Sequence, residues 1–279
     1  MPFKFLVVPQ WQGSGSARAL LLQDGAEAIQ QDLPVSATTK LPVPVGAGET
    51  LGTGIRRFSA INAIREQLLA QIDSEETALI TIGGDCGVEL GAVEHAVHRS
   101  SNPIALVWFD AHPDLNSVLS SPSGAFAGMV LRALTDPAFG PLGTDDRSRP
   151  LNSIVVGARD IDEGESAFLE ESKMPWFSAD FDSVTLIEAI QSTGSESVYI
   201  HIDLDVIDPG EFTSVSSPIP FGVSIQKLIE TIRAILARFP LAGAGICGFA
   251  PPNPQHAQED LPTILRIIAA LTSSPKVAT

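Results

Sequence analysis

Six short runs of apolar residues, rich in β-branched side chains and bounded by glycine or polar residues, recur along the chain: Phe3–Val8, Ala78–Ile82, Ile104–Phe109, Ser153–Gly157, Val198–Asp203 and Leu241–Ile246. Runs of this length without strict alternation predict strands buried on both faces. Between them the period changes. Ile55, Phe58, Ile61, Ile64 and Leu68 share one helical face, as do Ile225, Leu228, Ile229, Ile232, Ile235 and Leu236. Strands alternating with helices predict an α/β fold in three layers, a mainly parallel sheet with helices on both faces. Proline- and glycine-rich stretches at Leu41 to Gly54 and Pro137 to Pro150 read as long surface loops. No repeat or low-complexity linker divides the 279 residues, so one domain over residues 1–279 is expected.

In parallel sheets ligands bind beyond the carboxyl ends of the strands. The polar clusters sit there: Gly83-Gly84-Asp85-Cys86 after the second run, Asp110-Ala111-His112-Pro113-Asp114 after the third, Asp203-Leu204-Asp205 closing the fifth. Asp110, His112 and Asp114 alternate by two, as do Asp203 and Asp205, so an extended backbone would point each set to a common side. Five such groups converging would repel one another and resist desolvation unless cations compensated them. Carboxylate oxygens with one imidazole suit divalent manganese or a similar ion, and the ligands suffice for two.

Composition narrows the partners. A net charge of −16 disfavours nucleic acid and anionic membrane, both of which an acidic surface repels. The apolar run at Phe3–Val8 is too short for a membrane span or signal segment and is followed by Pro9 and Gln10. Cys86 and Cys247 form no Cys-x-x-Cys pair, so a reducing compartment, the cytoplasm, is expected. Cys247, on an apolar strand, reads as core.

The three ordered motifs, with Asp208-Pro209 after the third, resemble the signatures of the arginase (ureohydrolase) family over nearly the whole chain. Carried over by position, the resemblance implies that Asp110 and Asp203 bridge two Mn2+ ions, that Cys86 and Asp114 complete one site and His112 and Asp205 the other, and that Asp85 and Asp208 support them. It allows a homo-oligomer. Cys86 departs from the family, which has histidine there. It stands either as a softer thiolate ligand or as a small buried residue that does not ligate.

The resemblance continues into the part that reads an L-amino acid. Asn116, Ser121 and Ser123 match residues that bind a substrate α-carboxylate, and Asp162 and Glu165 match acids that bind its α-ammonium group. These acids could equally begin an exposed helix. At the reacting end the family's proton-transferring histidine is replaced by Ala127, and the glutamate that pairs with the guanidinium falls in Gly248-Phe249-Ala250-Pro251, which has no acid. A guanidinium with a pKa of about 12.5–13.8 would need that counter-charge, whereas a less basic N-hydroxyguanidine would not. The expected reaction is therefore hydrolysis of Nω-hydroxy-L-arginine to L-ornithine and hydroxyurea, as in the arginase-like enzymes of D-cycloserine biosynthesis. Water activated by the two ions would attack, and Asp114 would carry its proton to the departing amine. Two rivals stand beside it: an ordinary ureohydrolase acting on arginine, and a metal-poor binding protein.

Overall fold

The structure, a computed structural model, describes residues 3–143 and 151–273. Eight parallel strands form one sheet: β1 (Phe3–Val8), β2 (Thr38–Lys40), β3 (Ala78–Gly83), β4 (Ile104–Phe109), β5 (Asn152–Val156), β6 (Trp176–Phe177), β7 (Ser197–Asp203) and β8 (Leu241–Cys247). Their order is β2-β1-β3-β8-β7-β4-β5-β6. The six expected runs are all strands. The two edge strands went unforeseen because Thr38–Lys40 and Trp176–Phe177 are too short and too exposed to carry an apolar period.

Helices cover both faces. On one lie α1 (Leu20–Gln31), α6 (Ser183–Ser192), α7 (Ile225–Leu236) and α8 (Pro254–Thr272); on the other α2 (Phe58–Ile72), α3 (Glu89–Arg99), α4 (Val130–Thr135) and α5 (Glu163–Ser172). The predicted three-layer α/β arrangement is thus observed. Alternation along the strands divides the core: Ile200 and Ile202 of β7 pack with α7, whereas Tyr199 faces the α2–α3 side. The helical face beginning at Ile55 starts later than its period suggests. Arg57 takes a left-handed φ of 58°, and α2 begins at Phe58, leaving Ile55 buried just ahead of it. The Leu41 to Gly54 stretch is a loop; of the Pro137 to Pro150 stretch, residues 144–150 lie outside the described residues.

The topology places four adjacent strands, β3, β8, β7 and β4, with their carboxyl ends side by side. Glycines let the neighbouring loops close over them. The Gly84 N–H donates to the Val8 carbonyl at 3.1 Å, the Asp85 N–H to the Gln10 carbonyl at 2.9 Å, and the Gly248 N–H to the Gly84 carbonyl at 2.9 Å. A Cβ on Gly84 would collide with the Gln10 carbonyl. Gly84→Ala should therefore cost about 1–3 kcal/mol through forced backbone displacement. Denaturant unfolding checks this, and an unshifted midpoint would mean that the loop yields freely.

Candidate metal centre

A cavity of about 390 Å³ opens at these strand ends. Its lining includes Asp85, Asp110, Asp114, Asp160, Asp162, Glu165, Asp203 and Asp205, with His112 but no lysine or arginine. Eight carboxylates against one imidazole is a charge imbalance that water alone compensates poorly at buried positions.

Two groups of donors draw together at its floor, and a third, of Glu89, His201 and Cys247, none of which lines the cavity, adjoins them. Cys86, Asp110, Asp114 and His201 each offer one ligand atom within 4.8 Å of the others, and so do Asp110, His112 and Asp205. Asp110 belongs to both. Asp203 joins neither group but touches both sides: its Oδ2 accepts from Cys86 Sγ at 3.0 Å and its Oδ1 accepts from the Asp205 N–H at 2.8 Å.

The backbone that delivers these groups is not extended, contrary to the alternation argument. Asp114 adopts a left-handed φ of 53°, and Asp205 lies in a 3₁₀ turn, Leu204–Val206, capped by Asp203. A turn, rather than a pleat, brings Asp114 beside Cys86. Cys86 itself starts a 3₁₀ turn capped by Asp85, whose carboxylate also accepts from the Gly13 N–H at 2.9 Å and Gln10 Nε2 at 2.9 Å. Asp85 so fixes the loop that carries Cys86. Asp208 is tied up differently: it accepts from the Gly210 and Gly222 N–H groups, both at 2.8 Å, and fastens a loop beyond the cavity lining.

The donor set fits cations. Asp114 Oδ2 is buried without a hydrogen-bond partner among the described residues. Burial and the neighbouring Asp110 push the Asp114 carboxyl well up; burial with Asp203 does the same to Asp205, and burial with Asp110 raises Asp203. His112 supplies a compensating proton, with Nδ1 3.1 Å from Asp205 Oδ2 and 3.4 Å from Asp110 Oδ1. Burial opposes its charge, but Asp205 and Asp110 hold the imidazole well above its usual pKa. Burial also works against Asp110, yet His112 and His201 keep its carboxyl below the usual range. A hydrogen bond with Cys247, then burial and Asp203, raise the Cys86 thiol well above its ordinary value. Without a cation, then, this sulfur remains protonated. Cys247 is core, as expected, but it also abuts the centre, its Sγ 3.7 Å from Glu89 Oε1.

At the cavity mouth Asp162 and Glu165 form a capping box on α5. Asp162 Oδ2 accepts from Asn116 Nδ2 at 2.7 Å and Glu165 Oε1 from the Leu115 N–H at 3.2 Å, while both acids line the cavity. Capping and lining coexist in the same side chains. Ser121 and Ser123 also line it, their hydroxyl oxygens accepting the Gly124 and Ala125 N–H groups at 3.1 and 3.2 Å.

Two members of the neighbourhood escaped sequence reasoning. His201 was detectable, two residues before Asp203 on a strand and hence on its face. Glu89, whose carboxylate accepts from Tyr199 Oη at 2.7 Å, was not, because nothing in its spacing relates it to the motifs. An acid introduced at Gly248 could not serve the cavity, since φ is 86° and a Cβ there would run into Asp203.

The model of the arginase family matches residues 15–271. Staphylococcus aureus arginase is 30% identical over 215 residues, which is 71% of this chain and 70% of that protein. Among solved structures, Entamoeba histolytica arginase in complex with L-ornithine superposes with a TM-score of 0.83 at 23% identity, covering 96% of this chain and 97% of the other. Bacillus subtilis arginase gives a TM-score of 0.80 at 20% identity, covering 99% of each. No helix among the described residues is long and apolar enough to cross a membrane.

The raised carboxyls predict a pH effect. Burial lifts Asp85 to about 6 and Glu165 to about 7, and Asp114, Asp203 and Asp205 also rise. A group raised on folding adds stability below its ordinary pKa and loses it as pH climbs through the folded value. Asp110, being lowered, acts only at lower pH, whereas His112 and His201, being raised, add to the fall once pH passes the ordinary imidazole value of about 6.5. In chelator the thermal midpoint should therefore fall as pH rises from about 4.5 to about 7.5. Manganese should restore it by an increment that grows with pH; a flat chelator profile would refute the argument.

Proposed function

This chain belongs to the arginase family, and from that premise we propose that it hydrolyses the guanidine-type group of an arginine-like L-amino acid with two divalent cations, taking Nω-hydroxy-L-arginine to L-ornithine and hydroxyurea. The observation that carries the reading is the pair of donor clusters sharing Asp110 at the floor of an acidic cavity with no lysine or arginine among its described lining residues. Asp110, Asp114, Cys86 and Asp203 would hold one ion, most readily Mn2+, and Asp110, His112, Asp205 and Asp203 the other. Bound there, the ions supply the charge that acidifies a water at neutral pH and polarises the amidine.

The chain's own groups do the rest. Asp114, with Oδ2 unpartnered, accepts the attacking water's proton and passes it to the departing amine nitrogen. One water is consumed, the bond from the amidine carbon to Nδ breaks, and the two products leave as ornithine and hydroxyurea. At the mouth, Ser121 and Ser123 use their oxygens as acceptors, which leaves their O–H groups to donate to a substrate carboxylate. Asn116 keeps one of its two N–H groups for the same anion. Asp162 and Glu165 give the α-ammonium its counter-charge.

The choice of the hydroxylated substrate rests on the reacting end. Ala127 and Gly248 line the cavity where the family carries a histidine and a glutamate, and the backbone at Gly248 excludes a side chain. A full guanidinium would face two cations there without a carboxylate partner, whereas a neutral hydroxyguanidine avoids that repulsion. The relatives' name, arginase, favours the second reading, release of urea from arginine.

Side-by-side assays of the manganese-loaded chain should give hydroxyarginine a kcat/KM at least roughly 100-fold above arginine, about 2.7 kcal/mol in transition-state stabilisation. Equal values would leave only the general ureohydrolase. Asp162→Ala should lower both substrates by a similar factor, because it meets only the ammonium group they share. In saturating manganese, Asp203→Ala should abolish turnover more completely than Cys86→Ala, since Asp203 contacts the ligands of both sites and Cys86 serves one. A largely active Asp203→Ala protein would show the motif to be misassigned.

A further inference from the structure

His201 stands on β7 with no task in the reaction just described. Its ring is fully buried and stacks on Trp108 with centroids 3.6 Å apart. Neither ring nitrogen has a hydrogen-bond partner among the described residues. An imidazole in a dry interior ordinarily engages both nitrogens, so an orphaned pair calls for a ligand.

The surroundings say which kind. Nε2 lies 3.8 Å from Asp110 Oδ2, and a ring nitrogen falls within 4.8 Å of donor atoms of Cys86, Asp110 and Asp114. Such gaps are too long for hydrogen bonds but suit donors around one cation, where bonds of about 2.0–2.3 Å set the ligands roughly 3.3–4.5 Å apart. On the far side of the ring, Nδ1 faces Glu89 Oε2 at 3.9 Å. That carboxylate is itself pinned by Tyr199 Oη at 2.7 Å. A ligating histidine typically passes its second N–H to a carboxylate, which fixes tautomer and ring orientation. Glu89 is in that position, and the Trp108 stack limits the tilt of the ring.

We propose that His201 is a metal ligand of the Cys86 site, returning from β7 the imidazole that the chain lacks at position 86, with Glu89 as the carboxylate that orients it. The inference rests on the two-cation reading above. It makes that site sulfur, nitrogen and the carboxylates of Asp110, Asp114 and Asp203, softer than the neighbouring set of Asp110, His112, Asp205 and Asp203. It also explains how a thiol in place of an imidazole leaves the site with enough donors.

The test counts coordinated imidazoles by pulsed electron paramagnetic resonance on the full chain, labelled with nitrogen-15 histidine and loaded with two equivalents of manganese. The unaltered protein should show two directly bound histidine nitrogens, from His112 and His201. His112→Asn should keep one, His201→Gln should keep one, and the double variant should have none. His201→Gln should also weaken one of the two manganese equivalents at least about 10-fold, with Glu89→Gln weakening it less. A single bound imidazole in the unaltered protein, or none in His112→Asn that still takes up manganese, overturns the assignment and leaves the hydrolase reading intact. An unaltered chain that binds no manganese removes both. The count in the unaltered protein decides the question even where a variant fails to fold.

Discussion

Buried negative charge is the constraint around which this molecule is arranged. Asp110, Asp114, Asp203 and Asp205 are each almost entirely out of solvent at the ends of adjacent strands, with Asp110 close to both Asp114 and Asp205 and Asp203 bonded to the Asp205 backbone. Mutual repulsion and lost hydration would drive such carboxylates apart or protonate them, and the raised pKa values of three of the four express that stress. Divalent cations relieve both costs together. On the proposed reading, stability and catalysis would be coupled through the same ions.

The scaffold holds the charges in place against that repulsion with neutral and cationic backbone support. Asp85 collects N–H groups from Gly13 and Gly87 and an amide from Gln10, which secures the turn bearing Cys86. Arg159 clamps the opposite side, its guanidinium donating to the carbonyls of Asp205 at 2.7 Å and Ile219 at 2.8 Å. It braces the backbone behind Asp205, and the Asp205 and Asp110 carboxylates favour its charge. The left-handed turn at Asp114 stores some strain and presents a carboxylate oxygen, Oδ2, that has no hydrogen-bond partner among the described residues.

Cys86 and His201 are best understood together. A thiol beside Asp203 in a buried pocket is a poor anion without a metal, and with one it becomes a soft ligand. An imidazole arriving from β7 restores a nitrogen donor from another direction, backed by Glu89. The substitutions at Ala127 and Gly248 lie on the substrate side of the same centre. On the proposed reading, the groups at the mouth would meet an ordinary amino-acid head and those at the floor an altered guanidine.

Local sequence was enough to determine the six long strands, the amphipathic α7 and the three motifs at strand ends, because period, β-branching and turn residues act over a few neighbours. It also located Asp110, His112, Asp114, Asp203 and Asp205, since in a parallel sheet a polar residue at a strand's carboxyl end has one place to go. The edge strands Thr38–Lys40 and Trp176–Phe177 were not legible, having pairing partners but no apolar period. Only the tertiary structure decided that β3, β8, β7 and β4 lie side by side, and hence that Cys86 meets Asp203 117 positions away and that Glu89 faces His201. The turn at Asp114 and the closed backbone at Gly248 likewise depend on contacts across the sheet. Spacing along a chain fixes which residues share an element, but distances between elements come from packing, and metal coordination is a matter of those distances.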